Sequence, residues 1–549
     1  MDEVDVVVVG AGTGMLAAIS AAEEGLSALV VEKAEHVGGS TALSGGGFWI
    51  PGNSILRENG QRDDPERVRT YLRAATRGEV TDERWHSHVD HGPAAVEVLR
   101  RRTPLAFQVM IEYADYFPEL PGGSATGRAC EPKPFDLKRL GEDRSLLLPP
   151  AMAAPFPMPI TGRGYKWTNL VARTPRGFLT SARSVAQGVA GAAVGREYAA
   201  GGQALAAGLL MGLRAMGVPV WTSSPLTDLL VQDGRVVGVV VSRGGVPTTV
   251  RARKGVILSS GGFDRNAEMR HRYQSEAVDG SWSLGTTADT GEVIRIAEEH
   301  GADLAFMDAA WWFPSLPLPD GSMGPMLAER SLPGQIIVNG HGHRFMDEAV
   351  NYMTAGQIIV GKHTPDDPHI PAWIVFDQRY RNRYLFGAGL FPRQPLPQSW
   401  YDAGIAKKGA TITALADALG MPDLLATVDR FNLLADAGRD DDFGRGDSAY
   451  DRYYGDPTIS PNPCLGPIDH GPFYAVQVVP GDLGTCGGIR ADRYARALHP
   501  DGSVIPGLYA TGNAAGNAFG RVYPGPGATV GQGLTFGHVA AQHLAGRLG

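Results

Sequence analysis

The chain opens on Asp5–Val9, a Val-rich apolar run that stops at Gly10. A glycine-rich turn follows, then the small-residue stretch Met15–Glu24, and after Gly25 a second apolar run, Ala28–Val31, closed by Glu32. Short continuous apolar runs on either side of a helix-length stretch predict strand, helix and strand covered on both faces, the opening unit of a doubly wound parallel sheet. Further strands are expected at Val218–Val220, Leu226–Val231, Val236–Val241 and Gly255–Leu258, with Gly234 and Gly244-Gly245 at or near the turns.

Between these blocks the pattern breaks. Ser145–Thr161 is rich in Pro, Met and Ala, and Ala182–Gly195 in small residues. Residues 140–200 read as an insertion, either a lid or interface or a long surface loop. From about residue 300 the sheet pattern fades into aromatic and Pro-rich segments such as Trp311-Trp312-Phe313-Pro314. Short strands at Ile336–Val338 and Ala372–Phe376 and a helix pair, Ile412–Leu419 and Pro422–Ala435, predict an inserted domain. Glycine returns at Gly481. The expected architecture is α/β, with a discontinuous Rossmann-like nucleotide domain (1–300, carrying the 140–200 insertion, and 481–549) and an α+β catalytic domain at 301–480.

Composition narrows the class. A chain of 549 residues, 43% hydrophobic and 20% charged, exceeds what one core usually serves and predicts at least two globular domains. The 73 glycines show no period, which excludes a collagen-like chain and instead implies many close backbone approaches, as around a large cofactor. Fifty Lys and Arg against 58 Asp and Glu give a net charge of −8 with no long basic run, arguing against nucleic acid as a partner. Cys130, Cys464 and Cys486 are widely spaced, cannot all pair and form no metal-ligand pattern. The acidic start Met1-Asp2-Glu3 lacks a signal peptide's basic region, and no apolar stretch reaches the roughly 20 residues of a transmembrane helix. The expected location is the cytoplasm, and no metal site is expected.

The chemistry begins at Gly10-Ala11-Gly12-Thr13-Gly14, which follows a strand and starts a helix, with Glu32 ending the next strand. Such glycines let backbone approach a pyrophosphate, the helix N-terminus offers free N–H groups, and the acid can accept from a ribose hydroxyl. Met15 stands at the sixth position, where the G-x-G-x-x-G pattern has its third glycine, which here arrives one residue early as Gly14. Glu32-Lys33 then leads into Gly39-Ser40-Thr41 and Ser44-Gly45-Gly46-Gly47, and these further glycine clusters favour the longer cofactor FAD over NAD. Gly261-Gly262 after a strand, Asp289, Gly512-Asn513, and Thr529-Val530 at the start of the last helix complete the expected cofactor contacts.

Longer stretches carry a more specific likeness. Gly38–Trp49, Asp115–Gly123, Glu131–Phe135, Ala309–Pro314, Arg330–Asn339, Tyr450–Pro457, Gly481–Gly488 and Tyr523–Gly527 together resemble the FAD-dependent 3-ketosteroid 1-dehydrogenases, within the fumarate reductase-like flavoproteins. The resemblance implies removal of hydrogens from C1 and C2 of a 3-oxosteroid A ring, with hydride passing to FAD and then to an unidentified electron acceptor. It implies four catalytic positions: Tyr116, Tyr352, Tyr523 and Gly527. Tyr523 and the Gly527 N–H would hold the ketone oxygen, Tyr352 would take the α-proton, and Tyr116 would donate to Tyr352. Asn351 stands where the family usually has Pro. Trp311-Trp312-Phe313 would either line the steroid pocket or pack in the core. Alternatives are a dehydrogenase of another ring position or of a non-steroid cyclic ketone, a fumarate reductase-like enzyme using Arg344 and Arg521, and a flavin-binding protein without turnover.

Overall fold

The computed structural model describes residues 2–150, 156–387 and 389–549. Its first strand, Asp2–Val9, is flanked in parallel register by Ala28–Val31 (Val6 opposite Ala28) and by Val246–Leu258 (Val9 opposite Leu258). They form the centre of an eight-stranded sheet ordered Arg496–Leu498, Val504–Ala510, Val246–Leu258, Asp2–Val9, Ala28–Val31, Val220–Trp221. Val6, Val8 and Val30 face the helices Gly14–Glu23, Gly201–Ala215 and Ala528–Leu544. Val7, Val9 and Val31 face the helix Glu292–Glu299 and a β-hairpin. Cover on both sides explains why these strands read as unbroken apolar runs.

The strand Val246–Leu258 serves two pairings. Its second half joins the parallel core, whereas Val246–Arg251 runs antiparallel to Arg235–Arg243, which pairs with Leu226–Gln232 to complete the hairpin. The expected strand Gly255–Leu258 is thus the buried end of a longer one, whose polar first half carries no hydrophobic signal.

Two expectations are revised. Beyond residue 300 the sheet does not fade: Met323–Pro325, Ala310–Pro317, Phe473–Thr485, Ala372–Asp377 and Gln335–Val338 form an antiparallel sheet in that order, and Ala406–Gly409 also pairs with Phe473–Thr485. Alternation is missing because both faces are covered, as in Ala310–Pro317, buried along almost its whole length. The strand Phe473–Thr485 crosses the 480/481 division. Second, the 140–200 segment is not a long loop but holds the helices Gly162–Asn169 and Pro175–Ala193, which pack on one another. Its residues 151–155 lie outside the described residues, as does Met1. Among the described residues no helix is long and apolar enough to cross a membrane.

Candidate active site

The dinucleotide turn sits at the C-terminal end of the first strand. Gly10 adopts φ +106°, and a Cβ there would lie 2.3 Å from the Ser259 carbonyl oxygen, so only glycine fits. Gly14 begins the helix Gly14–Glu23, and its Cβ would come within 2.9 Å of Ser259 Cβ. The close helix-to-strand packing expected of the third glycine therefore falls to Gly14, and Met15 is simply core. Glu32 accepts the Ala11 N–H on one carboxylate oxygen (2.8 Å) and the Ala34 N–H on the other (2.9 Å), while burial pushes its pKa up. Lys33 pairs with Glu292 and donates to the Thr290 hydroxyl (2.6 Å), which ties its ammonium to the wall.

The later glycine clusters close around the same space. Ser40 donates to the Asp289 carboxylate (2.7 Å) and accepts the Thr286 N–H (3.0 Å). Gly46 and Gly261 have positive φ, and a Cβ on either would overlap its neighbour: Gly201 at 2.2 Å in one case, the Asp289 carboxylate at 2.1 Å in the other. A single cavity of about 570 Å³ runs along these groups. Every expected cofactor contact lines it except Gly14 and Gly262, which stand behind the wall; a Cβ on Gly262 would overlap Thr485 Oγ1 at 2.1 Å. The helix Ala528–Leu544 starts at Gly527 with no side-chain cap, and Thr529 and Val530 of its first turn line the cavity. Its free N–H groups make that end electropositive. A glycine-walled groove ending on an uncapped helix start fits a dinucleotide flavin.

At that end the tyrosines converge. Tyr116 donates from its hydroxyl to the Tyr352 hydroxyl at 2.7 Å. The Tyr523 ring lies 5.0 Å from Tyr116 and 5.4 Å from Tyr352, centroid to centroid. Tyr352 begins the helix Tyr352–Lys362, whose N-terminus Asn351 caps by accepting the Thr354 N–H (3.0 Å). Asn in place of Pro still starts this helix at the tyrosine. The Tyr523 oxygen stands 3.4 Å from the Thr529 hydroxyl and faces the Gly527 and Thr529 amides. Burial pushes Tyr352 well above the ordinary tyrosine range, and the neighbouring Tyr523 adds to this, while the hydrogen bond from Tyr116 opposes it. Burial raises Tyr523 too, against the donors around Thr529.

The aromatic run divides its work. Trp311 donates to the Asn513 side chain (3.1 Å) and packs on Tyr523 (4.7 Å), and Trp312 lies under the buried Arg270 guanidinium. Only Phe313 faces the cavity, against Tyr352 (4.6 Å). Sequence reasoning missed Tyr113, Tyr454 and Met110, which also line this end, and Gly201, which lines the glycine wall beside Gly46. Tyr113 lies three residues before Tyr116 and Tyr454 inside an already matched motif, but nothing local separates a lining phenol from a core one.

The FAD binding domain family matches residues 5–530. The 3-oxosteroid 1-dehydrogenase of Mycolicibacterium smegmatis is 47% identical, over 99% of this chain and 97% of its own. The 4-oxocyclohexanecarboxylate 2-dehydrogenase of Sinomonas cyclohexanicum is 35% identical, over 99% of this chain and 93% of its own. The crystal structure of 3-ketosteroid delta1-dehydrogenase from Sterolibacterium denitrificans, in complex with 1,4-androstadiene-3,17-dione, matches with a TM-score of 0.93 at 36% identity, covering 100% of both chains. With a glycine-walled cofactor groove leading to clustered phenols, this chain belongs to the FAD-dependent 3-oxosteroid 1-dehydrogenase family of the FAD binding domain flavoproteins.

Proposed function

We propose that this protein introduces a C1–C2 double bond into the A ring of 3-ketosteroids. The observation that carries the reading is the convergence of Tyr116, Tyr352, Tyr523 and the Gly527 amide at one end of a cavity whose only lining Lys or Arg, among the described residues, is Lys33. The Tyr523 hydroxyl and the Gly527 N–H each donate to the ketone oxygen, stabilising the negative charge that develops as the neighbouring carbon loses its proton. Tyr352 takes that proton from C2, and Tyr116 holds the Tyr352 oxygen in place and favours its ionised form. FAD supplies the acceptor for the hydride leaving C1. Phe313 and Met110 give the ring system an apolar wall that excludes water.

A reading as a dehydrogenase of a smaller cyclic ketone draws on the Sinomonas relative. A carboxylate on such a substrate wants a cation, and Lys33 is already paired with Glu292. The fumarate-type alternative fares no better: Arg344 pairs with Glu348 and Asp440, Arg521 pairs with Asp308, and neither lines the cavity. The proposed setting is the cytoplasm, where three buried, unpaired cysteines are at home. Incubation with androst-4-ene-3,17-dione and an artificial acceptor should yield the 1,4-diene-3-one; oxidation of 4-oxocyclohexanecarboxylate with no turnover of any 3-oxosteroid would reverse the assignment.

A further inference from the structure

A buried phenol serves as a base only where something offsets the cost of its negative charge. Burial opposes ionisation at Tyr352, and the hydrogen bond from Tyr116 comes from a neutral group. The amides at the helix start by Gly527 face Tyr523. Lys33, next to Glu32 on the nucleotide side of the cavity, is tied to Glu292. A compensating charge for the base has to come from behind the cavity wall.

Among the fully buried arginines, Arg128 pairs with Asp63 and Asp115, Arg270 with Asp482, and Arg445 with Glu348. Arg330 and Arg381, buried just as deeply, meet only backbone carbonyls among the described residues. Arg381 faces Tyr380 and Tyr474. Arg330 donates from Nε to the Met326 carbonyl (3.1 Å) and from Nη1 to those of Glu348 (2.8 Å) and Val350 (2.9 Å). Val350 stands two residues before Tyr352, so this guanidinium fixes the chain entering the helix that presents the base. Arg330 also lies close to Tyr450 and Tyr113. Burial and Tyr113 raise the Tyr450 pKa, and the Arg330 charge opposes them. The Tyr450 hydroxyl is buried with no hydrogen-bond partner among the described residues, and its ring meets Tyr116 edge-on at 4.9 Å.

We propose that Arg330 is a positioning residue for the tyrosine base: through the Val350 carbonyl it fixes the start of the Tyr352 helix, and its buried charge, acting past Tyr450 and Tyr116, favours negative charge on the Tyr352 oxygen. The proposal deepens the reading of Tyr352 as the base and rests on it. A carboxylate partner would cancel the field of the guanidinium, whereas carbonyl dipoles hold it without removing its charge. The acids that face Arg330 are Glu329 and Asp347. Burial pushes Glu329 up to about 7, and burial together with the neighbouring Asp451 raises Asp347. Below neutral pH both therefore hold their protons and leave the guanidinium uncompensated; as they ionise at higher pH they offset it in part.

The FAD-loaded protein carrying fluorotyrosine at position 352 is titrated by fluorine NMR, which reads the ionisation of that phenol without any ketone. A unit charge about 10 Å away, at an effective dielectric constant of about 20, moves a pKa by about one unit. In Arg330→Gln, which keeps a donor but no charge, the midpoint should rise by about 0.5–1 pH unit. In Arg330→Lys, which keeps the charge with fewer hydrogen bonds, it should stay close to wild type. The rising limb of kcat/KM should move in the same order. An unmoved midpoint in Arg330→Gln, or equal shifts in the Gln and Lys variants, would reduce Arg330 to a tie between carbonyls and overturn the proposal. If the midpoint moves while the rate limb stays, the charge acts as proposed and Tyr352 is not the base. Should neither variant fold, Asp347→Asn decides: removing a carboxylate that faces Arg330 should lower the midpoint, and an unmoved or raised one overturns the proposal.

Discussion

The backbone N–H of Tyr116 donates to the carbonyl of Pro524 at 3.1 Å, and the Tyr71 hydroxyl donates to the same oxygen at 2.5 Å. Pro524 directly follows Tyr523, so the phenol proposed to support the base and the phenol proposed to hold the ketone hang on one rigid frame. Its geometry survives because Gly525 lies against the Trp49 indole, where a Cβ would come within 2.3 Å. Trp49 in turn donates to the buried Asp115 carboxylate (2.9 Å), the residue before Tyr116. Preorganisation of this kind is what lets two donors act at the point where charge develops.

Replacing Tyr523 by Phe removes one of the two donors proposed for the ketone oxygen. Turnover should fall about 10²–10³-fold while the flavin spectrum stays unchanged. Steady-state rates and an absorbance spectrum of the same sample check this, and near-wild-type turnover would exclude Tyr523 as a donor.

With Tyr352 as the proposed base, the enzyme should show an alkaline profile. Burial holds the Tyr352 proton on, so its reactive ionised fraction grows as pH rises toward and beyond about 10, the ordinary tyrosine value. kcat/KM should therefore climb with pH through the neutral range. Tyr116→Phe removes the donor that favours the ionised form, so the rising limb should move to higher pH and part of the lost rate should return there. A limb displaced to lower pH would contradict the assigned roles.

Gly46→Ala places a methyl group 2.2 Å from the Gly201 carbonyl carbon at a positive φ. Neither backbone can yield without deforming the cofactor wall, and overpacking of this sort costs about 1–3 kcal/mol. Purified Gly46→Ala should carry less flavin per chain, read as the ratio of visible to ultraviolet absorbance.

Asn351→Ala deletes the cap of the helix that presents Tyr352. The loss should be about 1 kcal/mol in a denaturant titration, with lowered kcat, and Asn351→Asp should restore both, because a carboxylate accepts the Thr354 N–H equally well.

Much of this protein was legible in order along the chain. The opening strand, helix and strand, the glycine turn with Glu32, and the late return of Gly512-Asn513 to the cavity wall follow from local rules, since apolar runs, positive-φ glycines and helix starts announce themselves within a few residues. The matched motifs also singled out Tyr116, Tyr352, Tyr523 and Gly527 before any of them had a position in space. What one dimension could not supply was long-range packing. The antiparallel sheet around Phe473–Thr485 is built of strands covered on both faces, so no alternation marks them. Whether Trp311, Trp312 or Phe313 meets the ligand depended on which way one strand faces a helix forty residues away. That the helix Pro175–Ala193 buries Gly177, Gly188 and Gly191 and leaves Phe178 and Leu179 exposed is likewise decided by packing across the fold. Periodicity records that a side chain is apolar at a given turn of the helix; only the tertiary contacts decide whether protein or something else covers it.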